Sequence, residues 1–166
     1  MFPNACRLLV VYALTIAFAA SAQKRAMTFA EFRNLHGGTS LDSSYRTALN
    51  VDSTKAVFSG RKEELHDAWQ GFLEGLGEYL KENDFKWEQD ARCTVKVYFN
   101  MEGGVDHFLY SFREGGADEG QLAMFDRLLN RFVETLEFPL KANEGFSQCG
   151  SILFRAAQEK PSDVTP

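Results

Sequence analysis

Cysteine and histidine are scarce in this chain, three of each among 166 residues. No pair of them stands at C-x-x-C spacing or at the i, i+4 histidine spacing of a helical metal site. That pattern offers no local ligand set for zinc or iron, so neither a metal nor a cofactor is expected. Positive charge is also in the minority, 18 Lys+Arg against 23 Asp+Glu, which argues against nucleic acid and anionic lipid surfaces as partners. Proline is missing between Pro3 and Pro139. The one long apolar run, residues 8–20, is shorter than the roughly 17–25 residues that span a bilayer.

What is present at the start is a leader. Arg7, the apolar run and the small residues before Ala22 are the parts of a secretory signal peptide, with cleavage expected after residue 22. The mature chain then carries no membrane-inserted segment, loses only Arg7 from its charges and stands at 17 cations against 23 carboxylates. A secreted or periplasmic location follows, an oxidising compartment in which Cys93 and Cys149 would ordinarily be read as a disulfide.

Residues 23–58 read as an N-terminal extension with short helices: Met27, Phe29, Phe32 and Leu35 are apolar at helical steps, ended by Gly37-Gly38, and a second short helix is expected between Tyr45 and Val57. One α+β domain is expected over 59–156, followed by a disordered tail over 157–166. Leu65, Ala68, Trp69, Phe72, Leu73, Leu76, Tyr79 and Leu80 recur at three- and four-residue steps and predict a long helix over 60–82. Gly71, Gly75 and Gly77 interrupt it, and close packing against a neighbour is their expected reason. Residues 93–100 and 105–112 alternate β-branched and aromatic side chains around Gly103-Gly104, the signature of a hairpin. A second long helix is predicted from Asp118, with Gln121 three residues on as a capping pair, to a stop at Pro139. Ile152, Leu153 and Phe154 read as a closing strand.

The order hairpin, helix, strand over residues 92–155 resembles the C-terminal domain of TonB-type energy transducers. The matching residues are Val95, Val97 and Phe99, then Glu102-Gly103-Gly104-Val105, the helix from Asp118, Phe138-Pro139, Gly145, and Ile152 to Phe154. The long anchor and the proline-rich spacer of a transducer have no counterpart. The resemblance implies a three-stranded antiparallel sheet in the order 2-1-3 with two long helices on one face. It also implies recognition of a protein or peptide partner through an edge strand made by Ser151, Ile152, Leu153, Phe154 and Arg155. In that topology Cys93 and Cys149 begin strands of opposite direction, about 20 Å apart at roughly 3.3 Å per residue. Unpaired thiols are then expected, because a disulfide needs Cα atoms within about 7 Å.

Candidate chemistry is thin. Gln148-Cys149-Gly150-Ser151 resembles the opening of the papain-family run Q-C-G-S-C-W, but Ile152 stands at the position of the nucleophile. His36, His66 and His107 fall on different predicted elements. If helices cover one face of the sheet, Tyr98, Phe108, Tyr110 and Phe112 could supply an exposed aromatic face for partners or for a homo-oligomer. The expectation is a non-enzymatic binding module with no catalytic residues. The alternatives are a small thiol-dependent hydrolase built on Cys149, with His66 or His107 as base, and a structural cell-envelope subunit.

Overall fold

The structure, a computed structural model, describes residues 25–37, 40–113 and 117–157; the expected leader over 1–22 and, apart from Ala157, the expected tail over 157–166 lie outside the described residues. In chain order the elements are β1 (Ala26–Thr28), α1 (Phe29–His36), β2 (Arg46–Thr47), α2 (Lys62–Glu82), β3 (Ala91–Phe99), β4 (Val105–Phe112), α3 (Glu119–Thr135) and β5 (Phe146–Phe154), with 3₁₀ turns at Leu41–Ser43 and Ser53–Lys55.

The central hairpin forms where alternation demanded it. Asn100 fastens the turn, its Oδ1 accepting from the Glu102 and Gly104 N–H groups. Gly103 is required there twice over, by a φ of 92° and by the Phe138 carbonyl oxygen, which would lie 2.3 Å from an added Cβ. α3 starts on Asp118, whose carboxylate accepts from the Gln121 N–H at 2.8 Å. α1 opens with a reciprocal cap between Thr28 and Glu31 and closes on Gly37 in the left-handed conformation.

The sheet corrects the three-stranded antiparallel expectation. It has five strands in the order β1-β4-β3-β5-β2 and is mixed. β3 pairs antiparallel with β4 and with β5, as the order 2-1-3 requires of the middle, while β1 runs parallel to β4 and β2 parallel to β5. Both outer strands come from the segment before residue 58. They are two and three residues long, too short to carry an alternation of their own.

The helices also differ from the expected pair. α2 and α3 cover one face, where Phe72 contacts the rings of Phe99, Phe108, Phe132 and Phe138 at centroid distances of 5.5–6.4 Å. α1 lies on the other face, closing a second small cluster of Met27, Phe32, Tyr98 and Leu109. Leu35, at the end of α1, is 70% exposed. Nor does close packing account for the three glycines of α2, since a Cβ at Gly71, Gly75 or Gly77 would meet nothing within 4 Å.

Candidate binding edge

β5 is nine residues long and pairs along its whole length with β3, from Phe99↔Phe146 to Ala91↔Phe154. On its outer side β2 reaches only Phe146 and Ser147. The Arg46 N–H donates to the Gly145 carbonyl at 3.3 Å and the Ala48 N–H to that of Ser147 at 2.8 Å. An extended strand turns successive peptide groups to opposite sides, so Cys149, Ser151 and Leu153 present their N–H and C=O groups outward as well. Among the described residues they meet no backbone partner there; the Cys149 carbonyl accepts only the Gln148 side-chain amide, at 3.1 Å.

The side chains of β5 divide in the same rhythm. Phe146 is buried against Phe58, Phe99 and Phe138 and Phe154 against Trp87 and Phe125, with Ile152 half-buried in the same core, and Gly150 lies under Trp69. Cys149, Ser151 and Leu153 belong to the other face and are exposed. Arg155, just beyond the strand, donates to Asp90 at 2.8 Å, and the Ala156 N–H donates to the same carboxylate. The Ala156 N–H, followed by the Arg155 guanidinium, holds Asp90 below the ordinary carboxylate range.

Beside the outer edge lies a largely apolar cavity of about 630 Å³. Leu73, Gly77 and Leu80 of α2 form one wall, Phe85 and Trp87 another, and the strand from Ile152 to Arg155 the third. Phe85 and Trp87 meet edge-on at 4.8 Å, and Trp87 stacks on Phe154 at 5.0 Å. The indole N–H of Trp87 is buried and has no hydrogen-bond partner among the described residues. Sequence reading did not single out these two aromatics; their alternation around Lys86, immediately after α2, was the available signal.

The expected aromatic face is absent. Phe108 and Tyr110 are 0% and 3% exposed in the main core, and Phe112 packs partly buried against Trp87 and Phe125. Tyr98 sits on the opposite face beneath Tyr45, ring centroids 5.2 Å apart. Burial wins because α2 and α3 take one alternating set of rings and the N-terminal segment covers the other. Tyr98 donates to Asp42 at 3.2 Å, and Lys96 bridges the same carboxylate, lowering the Asp42 pKa. Tyr45 donates to Asp106 at 2.8 Å; burial, reinforced by that carboxylate, pushes its phenol up to about 12.

The thiols are both free, Cys93 buried and Cys149 exposed. Their strands are neighbours, but Cys93 is opposite Ile152 and Cys149 opposite Lys96, so they stand three residues apart in register and on opposite faces. Cys149 is therefore mid-strand and not at a strand start as expected. Burial pushes the Cys93 thiol up to about 12. No imidazole among the described residues hydrogen-bonds Cys149. His66 is exposed on α2, across the sheet from that thiol. His107 is on β4, beyond β3, packed edge-on against Phe32 at 5.7 Å, where burial lowers its pKa. No cluster of three metal-ligating side chains forms among the described residues, and no described helix is long and apolar enough to cross a membrane.

No protein family, curated protein or solved structure matches this chain.

Proposed function

We propose that the protein is a non-enzymatic binding module of extracytoplasmic compartments that accepts an extended protein or peptide segment on the outer edge of β5, the recognition mode its TonB-like pattern implies. One observation carries the reading: β2 covers two residues of a nine-residue strand, leaving the outward peptide groups of Cys149, Ser151 and Leu153 for an added strand. Main-chain pairing supplies affinity in such additions, and pockets for alternate side chains supply selectivity. The leader at residues 1–22 supports the location. Open edges of this kind are usually blunted by charge, proline or a covering element, and the exposed side chains at 149, 151 and 153 carry neither charge nor proline.

The test is amide exchange during titration with peptides selected for binding to the intact protein. Protection should appear at the Ser151 and Leu153 N–H groups. Leu153→Pro removes one of them without touching a helix and should abolish binding while the far-ultraviolet spectrum is retained. Binding that survives in the folded variant removes the edge from consideration. Protection that appears without peptide and grows with protein concentration assigns the edge to a second copy of the chain.

A further inference from the structure

We infer that the segment accepted at β5 carries large apolar side chains two residues apart, followed by a carboxylate, and that these enter the cavity between β5 and α2. The inference rests on the edge-pairing reading and adds to it the chemistry of the partner.

A strand added to β5 continues the pleat, so every second side chain projects to the face that carries α2. The cavity lies on that side, against the strand from Ile152 to Arg155. Its walls of Leu73, Leu80, Phe85 and Trp87 favour aliphatic or aromatic groups, and about 630 Å³ is within the ordinary range for ligand sites.

Charge selects the rest. Among the described residues Glu74 is the one carboxylate lining the cavity, against Lys81, Lys86 and Arg155. Arg155 is engaged by Asp90, whereas Lys81 and Lys86 form no ion pair among the described residues. Two unpaired cations at an apolar site, on a chain of net charge −5, complement an acidic group on the ligand. A peptide and a fatty acid both offer apolar groups with a carboxylate; the free peptide groups alongside favour the peptide.

The experiment is calorimetric titration of the full-length protein with a blocked nonapeptide, Ser-Thr-Leu-Thr-Leu-Thr-Asp-Thr-Ser, and with laurate. Gly77→Leu is the diagnostic variant: its Cβ meets nothing within 4 Å, so the side chain fills the cavity without straining α2. It should weaken peptide binding by about tenfold or more, as should replacing both peptide leucines with serine. Exchanging the peptide aspartate for lysine should do the same at low salt and less at high salt. Loss of binding in Leu153→Pro with none in Gly77→Leu leaves the edge reading standing and overturns this one. Loss in Gly77→Leu alone overturns both. Laurate binding without peptide binding makes the cavity a lipid site and overturns the peptide assignment, and so does an absence of peptide binding at about 1 mM.

Discussion

The side-chain amide of Asn130 on α3 clasps both backbone groups of Ala26: its Oδ1 accepts from the Ala26 N–H at 3.0 Å and its Nδ2 donates to the Ala26 carbonyl at 2.9 Å. The same Nδ2 donates to the Asp126 carbonyl within the helix at 2.9 Å. One asparagine thus stands in for the next strand at the outer side of β1, whose inner side pairs with β4. A three-residue strand with no alternation of its own is held by this clasp and by the burial of Ala26 and Met27.

Replacing Asn130 with Ala should therefore destabilise the protein by about 1–3 kcal/mol, the range for leaving buried peptide groups unpaired. The denaturant midpoint would report the loss. Exchange at the Ala26 amide should accelerate more than exchange at the centre of β3, which is anchored on both sides. Equal acceleration at both would mean that β1 has no local dependence on the clasp.

Gly150 faces the indole of Trp69 so closely that an added Cβ would lie 2.9 Å from Cζ2 and 3.0 Å from Nε1. Trp69 is itself stacked on Phe72 at 5.6 Å, so it has little freedom to retreat. Gly150→Ala should cost about 1–3 kcal/mol by overpacking, although alanine is ordinarily the better strand residue. Trp69→Leu in the same chain should recover part of that loss, and the double-mutant cycle measures the coupling. The glycine beside Cys149 thus has a packing reason, independent of any nucleophile.

The two thiols should part company with an alkylating reagent at neutral pH: Cys149 modified in the native state, Cys93 only on unfolding. Cys93 also sets an alkaline limit. Its proton is held in the folded chain to about 12 and released by the unfolded chain near the ordinary 9.0. The folded state therefore binds more protons between those values. The stabilisation is fully present below about 9 and is lost as pH rises through the window, at up to about 1.4 kcal/mol per pH unit for a single group. Tyr45, raised from 10.0 to about 12, acts in the same direction. Cys93→Ala should flatten the fall in stability above pH 9, and an unchanged slope would assign it to the tyrosines.

Elements with a periodicity of their own were legible before folding. Residues 93–100 and 105–112 become β3 and β4 within two residues, and the stripe from Leu65 to Leu80 becomes the buried face of α2. β5 was legible only at Ile152-Leu153-Phe154, because Ser147, Gln148, Cys149, Gly150 and Ser151 have little strand preference and are extended by nine pairings with β3. Phe108 and Tyr110 illustrate a different limit: alternation assigned them to one face but could not say which face the helices would cover.

The amino-acid sequence by itself determined the hairpin, its Gly103 turn, the two long helices and the Asp118 cap, since each depends on side chains within a few residues of one another. Only the tertiary structure decided that the sheet has five strands, that its outer pair is parallel, that α1 closes the second face and that β5 keeps an open edge beside a cavity. Those features rest on pairings such as Ala26 with Phe108 and Arg46 with Phe146. Contacts across such separations become favourable only after the core has brought the partners together, and no local pattern encodes them.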